Sequence, residues 1–170
     1  DEMLLNDIRM NVYTEEMAES ISQMAAREGM TAYMHIKLDT GMGRLGFDIS
    51  ESSVEAITRI SQMKNVKMEG IFTHFAKADE ADKTFTQKQI KEFCWMVGQL
   101  KEKKVSFQYE HCANSAAIID VKDANFDLVR AGISTYGLYP SEEVKKENVK
   151  LKPAMVLKSH VAFVKDIEGG

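Results

Sequence analysis

Short apolar runs of strand length alternate with amphipathic helical segments along this chain, and that alternation calls for a parallel sheet covered by helices. Residues 8–13, 31–38, 66–73, 105–109 and 126–130 read as five strands. Between them, a helix follows Thr14 as N-cap through Ala26, and a second, capped by Ser50 or Ser52, runs to Met63. A long one covers 84–103, with Phe85, Ile90, Phe93, Met96, Val97 and Leu100 as its core stripe, and a short one covers 115–119. A charged loop at 142–150 precedes a further strand expected over 155–164. A complete eight-fold barrel needs roughly 250 residues, so a chain of 170 holds only part of one. A small open doubly wound sheet is the other arrangement this pattern allows.

The unusual residues gather where each run ends, which is where α/β enzymes keep their sites. Asp39-Thr-Gly-Met-Gly-Arg-Leu-Gly46 follows the second strand, His111-Cys-Ala-Asn-Ser115 the fourth and Asp127-Leu-Val-Arg-Ala-Gly-Ile-Ser-Thr-Tyr-Gly-Leu-Tyr-Pro-Ser141 the fifth. Backbone amides at such turns, beside a fixed positive charge such as Arg130, suit an anionic ligand.

A formal net charge of -4 and the lack of a basic stripe argue against nucleic acid or a membrane surface as partner. No targeting or spanning segment stands out, so the chain reads as cytoplasmic, with a membrane anchor upstream in the parent protein left open. The start at Asp-Glu and the stop at Gly169-Gly170 read as an excised piece. Cys94 and Cys112 make no disulfide framework. Cys94, among Phe93, Trp95 and Met96, reads as a buried small hydrophobe, and Cys112 beside His111 is too little for a nucleophile. No His, Cys, Asp or Glu set has metal-ligand spacing.

Several strand-end residues carry two readings. Lys37 near the end of a buried strand forms a salt bridge with Asp39 or another carboxylate, or is modified. His74 is a hydrogen-bonded structural residue or lies against a planar ligand. Asn114 and Ser115 cap a helix, or hold a phosphate on the same free amides. Arg130 requires an acceptor. His35 and His160, inside strand patterns, receive no role.

Four segments, HIKLDTGMGRLGF (35–47), EGIFTHFAKAD (69–79), HCANSAA (111–117) and DLVRAGISTYGLYPS (127–141), resemble the alanine racemase family in order and spacing. The resemblance covers almost the whole chain. It implies an eight-stranded α/β barrel of TIM type that carries pyridoxal 5'-phosphate (PLP), followed by a β-rich domain, in a head-to-tail homodimer. Residues 1–150 would then be about strands four to eight of the barrel, and 151–170 the first strand of the β domain.

By the same resemblance Ser115, Gly132 and Ile133 hold the cofactor phosphate, and Asn114 helps position them. Arg130 faces the pyridine nitrogen and keeps it unprotonated, and His74 lies beside the ring. Arg44 lies near the phenolic oxygen and the substrate carboxylate, and Lys37 is the family lysine that is often carbamylated. The family's Schiff-base lysine and catalytic tyrosine match nothing in this sequence, so the 170-residue piece is expected to be inactive alone and prone to self-association. The implied activity is interconversion of L- and D-alanine for peptidoglycan. A serine or broad-specificity amino-acid racemase, and a non-catalytic PLP-binding barrel protein, remain as alternatives.

Overall fold

A computed structural model describes residues 2–168. A short helix, α1 (Glu2–Leu5), leads into strand β1 (Met10–Val12) and helix α2 (Glu15–Arg27). Then come β2 (Ala32–Lys37), α3 (Glu51–Ser61), β3 (Val66–Phe72), α4 (Thr84–Glu102), β4 (Tyr109–His111) and α5 (Ser115–Asp120). All strand pairs are parallel, in the order β1-β2-β3-β4. Each crossover therefore moves the chain one strand further in the same direction. A doubly wound sheet reverses direction at a switch point, whereas a barrel does not. The open-sheet alternative is thereby set aside, and the fold is a partial α/β barrel.

Local signals account for the helices. Thr14 accepts a hydrogen bond from the Met17 amide at 3.2 Å and caps α2, and Ser50 does the same for α3 from Ser53. Val54, Ile57 and Ile60 share the inner face of α3 and are fully buried. Each such side chain contributes about 1.5–3 kcal/mol through burial. In β2, Ala32, Met34 and Ile36 point into the helical layer, so Tyr33, His35 and Lys37 point to the opposite, barrel-inner side.

The register then sets that inner side in layers. Lys37, Phe72 and His111 stand side by side across β2, β3 and β4, and His35, Gly70 and Tyr109 form the layer below. The Phe72 and His111 rings stack with centroids 4.7 Å apart. A barrel that fills its interior with such layers is a packed core rather than a pore.

Four expectations are corrected. Strand β4 lies at 109–111 rather than 105–109, because Val105 closes the end of α4 through its amide bond to Leu100. Residues 126–130 form no ladder: Asp127 and Arg130 donate to the Glu110 and Ala113 carbonyls, and the segment only runs alongside β4. Residues 155–164 carry no regular structure and are exposed, since no neighbouring strand pairs with them. Cys94 is exposed, because it and Trp95 follow buried Phe93 round to the outer face of α4.

The loop after β2 depends on one glycine. Gly46 has φ +134°, and a Cβ there would run into the Leu38 and Asp39 backbone. That collision would break the paired bonds Asp39 N–H to Phe47 O and Phe47 N–H to Lys37 O. Gly46→Ala should destabilise the protein by at least about 1–3 kcal/mol from strain alone. A urea midpoint unchanged from wild type would contradict this.

Candidate functional site

The ends of β2, β3 and β4 are tied together by buried polar bonds before any ligand is considered. Thr40 and Thr73 hydroxyls meet at 2.8 Å, and Thr73 also donates to the Leu38 carbonyl at 3.0 Å. Gln89, fully buried on α4, donates to Thr40 Oγ1 and the His74 carbonyl and accepts from the Ala76 amide. It locks the loops after β2 and β3 to a helix. Its place in the α4 core stripe gave no sign of this in the sequence, beyond being the one amide there.

Asp39 shapes the glycine-rich loop. Its carboxylate accepts from the amides of Gly41 (2.9 Å), Gly43 (3.1 Å) and Arg44 (3.1 Å). Those contacts correct the expected Lys37–Asp39 salt bridge. Lys37 Nζ instead donates to the carbonyls of Leu38 (2.6 Å) and Leu45 (2.9 Å) and lies over the Phe72 ring. Burial, reinforced by the charges of Arg44 and Arg130 against the attraction of Asp39, brings the Lys37 ammonium down to about 8. About a tenth of it is then neutral at pH 7.

Arg130 has the acceptors that the sequence demanded, and none is a carboxylate. Nη1 donates to His111 Nδ1 at 2.6 Å. Nη2 donates to the carbonyls of Thr73 (2.8 Å) and Cys112 (3.1 Å), with His74 Nδ1 3.4 Å away. The guanidinium also sits over Phe72, 5.2 Å from the ring centroid. Among the described residues Nε–H has no partner. Burial lowers the Arg130 pKa from its usual value, yet guanidinium remains protonated at any working pH.

His111 was missed in the sequence, although a histidine closing a buried run beside the HCANS loop was a readable signal. Burial, then the charges of Arg130 and His35, pushes it down to about 3. His74 is lowered as well, by burial and by the charges of Arg130, Arg44 and Lys37. Both imidazoles are neutral at pH 7. The Cys112 thiol is raised by burial and stays protonated, which removes it as a nucleophile.

A cavity of about 420 Å³ opens beside this cluster, lined by His74, Asn114, Ser115, Arg130, Gly132 and Ile133, with Met42 from the glycine-rich loop. That volume lies within the roughly 300–1,000 Å³ typical of small-molecule sites. A larger concavity of about 570 Å³ lies at the start of α4 and takes no residue from a strand end. Asn114 caps α5 through its bond from the Ala117 amide. Ser115 Oγ accepts from the amide and hydroxyl of Ser134, so its own proton is free to be donated. Ile133 opens a 3-10 turn (Ile133–Tyr136), so its amide has no acceptor within that turn. The Gly132 amide bonds to the Arg130 carbonyl, and Gly132 contributes space in front of Ser115.

Lys37 and Arg44 do not line this cavity. Lys37 stands in the layer beneath it and Arg44 is exposed on the loop, with no side-chain bond among the described residues. Its charge still reaches both Lys37 and His74. No cluster of potential metal ligands occurs among the described residues. None of their helices is long and apolar enough to cross a membrane.

Taken together, these residues define an α/β-barrel segment with a cavity of small-molecule size, walled in part by Arg130, at the C-terminal ends of its strands. The model of the alanine racemase N-terminal domain matches residues 1–140, and the chain belongs to that family. It is 48% identical over 97% of its length to an alanine racemase of Methanococcus maripaludis and 44% identical over 96% to one of Clostridium tetani. Among solved structures, it resembles the Clostridium difficile alanine racemase in complex with cycloserine (TM-score 0.88, 41% identity, 89% of this chain and 42% of that one). It also resembles the Bacillus anthracis alanine racemase with bound L-Ala-P (TM-score 0.81, 32% identity, 90% and 40%). The chain spans 44% and 42% of the length of the first two relatives.

The depressed His111 pKa makes stability depend on pH. An unfolded histidine titrates near 6.5, so between about 3 and 6.5 the unfolded chain binds the extra proton. Stability is therefore complete above pH 6.5 and falls as pH drops, by about 1.4 kcal/mol per pH unit below pH 6. His74 and His35 act in the same direction. The urea midpoint should fall between pH 7 and pH 5, and His111→Gln should flatten that slope. A midpoint that stays level or rises would contradict the buried neutral histidine.

Proposed function

We propose that this chain is the cofactor-holding segment of a PLP-dependent alanine racemase, which interconverts L- and D-alanine. The observation that carries the reading is one cavity lined by Arg130, whose Nε–H is uncommitted among the described residues, by Ser115, whose O–H is free, and by Ile133, whose amide has no acceptor within its turn. They suit a ligand with a basic ring nitrogen at one end and a phosphate at the other. Bound there, PLP would supply the electron-withdrawing ring that makes the substrate α-C–H acidic.

In this reading Ser115 and Ile133 donate to the phosphate, Gly132 leaves room for it, and Asn114 fixes the turn that presents them. Arg130 donates to the ring nitrogen and, being itself always protonated, keeps that nitrogen unprotonated. His74 lies beside the ring. Arg44 would lie near the phenolic oxygen and the substrate carboxylate. The neutral fraction of Lys37 is the form that carbon dioxide would carbamylate, and the resulting anion would pair with Arg44. One of its two present carbonyl bonds would then be lost, because the modified nitrogen keeps a single N–H.

Racemisation needs a proton-transferring group on each face of the substrate α-carbon. The family's two groups match nothing in these residues, so the chain supplies binding and ring electronics and depends on other segments for the proton transfers. Residues 1–150 would be about barrel strands four to eight and 151–170 the entry to a β domain. The working form would be a cytoplasmic homodimer acting on a free amino acid.

The test uses the protein at its full natural length, supplied with PLP and L-alanine, with L-serine run in parallel. D-alanine should form faster than D-serine. Ser115→Ala should weaken PLP binding by roughly 10-fold or more, the loss expected for one hydrogen bond to a charged group. Faster D-serine formation would move the substrate, and bound PLP without any D-amino acid would overturn the catalytic reading.

A further inference from the structure

Beneath the cavity a chain of polar side chains runs from Arg130 to Arg9, and the proposed site uses only its upper end. Arg130 Nη1 donates to His111 Nδ1. A guanidinium has no acceptor atom, so this nitrogen of His111 carries no proton. The neutral ring then holds its proton on Nε2 and donates it to His35 Nδ1 at 2.9 Å. His35 must in turn be protonated on Nε2, which faces Glu69 Oε2 at 3.5 Å. Arg9 closes the chain, with Nε and Nη2 on the two Glu69 oxygens at 2.8 and 3.2 Å. The guanidinium at the top can only donate and the carboxylate at the bottom can only accept, so both ends select the same two tautomers, with the imidazole N–H groups directed toward the carboxylate.

The sheet is shaped to hold this chain. Met34 pairs with Met68 and His35 with Gly70, so Glu69 is an extra residue in β3. Such a bulge re-aims a side chain, and here it turns Glu69 to the face that carries His35 while Ile71 enters the core. Gly70 completes the fit, since a Cβ there would lie 2.5 Å from His35 Nδ1. Glu69 and His111 are both buried. A largely buried carboxylate inside a strand has a cost that pairing must offset. Arg9 alone would do so at the sheet's lower edge without two histidines in line above it.

We propose that Glu69 and His35 are positioning residues for Arg130: the carboxylate orders both imidazoles so that His111 presents a bare Nδ1 to Nη1 and leaves Nε–H uncommitted. A carboxylate touching Arg130 directly would take two of its donors as a fork and offset its field. The imidazole takes one donor and no charge. Glu69 acts from two rings away, so order is imposed and the positive charge still faces the cavity. The assignment rests on the racemase reading only for the identity of the ring that Arg130 meets.

The test is nitrogen NMR of the histidine-labelled, cofactor-free protein at full length, followed by kinetics with PLP and L-alanine. Wild type should show His35 and His111 neutral at pH 7.5, both protonated on Nε2. Glu69→Gln should release the order and give mixed tautomers at both rings. In the loaded enzyme kcat should fall on the order of 10-fold, the lower range for slight misplacement of a catalytic group, with KM little changed. Gly70→Ala keeps the carboxylate but displaces His35, and should give the same signature at His111. A wild-type His111 protonated on Nδ1 overturns the assignment. So does a pair of variants that shift only the unfolding midpoint, with tautomers and kcat unchanged. The nitrogen signals need no cofactor, so a protein that failed to racemise would overturn the racemase reading while the tautomers still judged the positioning of Arg130.

Discussion

Arg130 is held in place by groups that carry no charge. Two backbone carbonyls, one imidazole nitrogen and the face of Phe72 surround it, and partial burial limits the solvent that would otherwise screen it. A cation fixed this way keeps its full field for whatever occupies the cavity. Burial keeps His111 and His74 neutral and lowers Lys37, and the same field reinforces all three shifts. One half-buried charge therefore adds to the burial that shifts its titratable neighbours toward their neutral forms.

That charge stays in place because the strand ends do not move independently. Parallel register sets Lys37, Phe72 and His111 at one level, and Thr73 sends its carbonyl to Arg130 and its hydroxyl to Leu38. Gln89 fastens the loops above to α4, and Asp39 folds the glycine-rich loop around its own carboxylate. The Ser115 side of the cavity is built differently, from a short helix cap and a 3-10 turn joined through Ser115 and Ser134. Strand ends tied by buried polar bonds and turns joined through paired serines thus meet at one cavity.

Much of this was legible in the sequence, and the reasons are physical. Thr14 and Ser50 announce their helices because capping is local, and the core faces of α2, α3 and α4 follow from helical period. The site segments were legible as glycine-rich or polar loops at strand ends. Residues 126–130 and 155–164 have strand composition, but a strand exists only where another chain segment offers its ladder, and that is not a local property. Lys37 near Asp39 suggested an ion pair, yet the carboxylate was more strongly drawn to three loop amides. His35, His111 and Glu69 went unassigned because residues 35 and 111 meet only through the register, and the bulge at Glu69 leaves no local mark. A carboxylate in the middle of an otherwise buried strand was the one available hint.

The most direct measurement is a crystal structure of the full-length protein with PLP bound, at a resolution that orients the ring. The account predicts the ring nitrogen within hydrogen-bonding distance of Arg130 Nε, the phosphate on Ser115 and Ile133, and His111 still in contact with Nη1. A ring nitrogen facing a carboxylate, or an Arg130 paired with one, would contradict it.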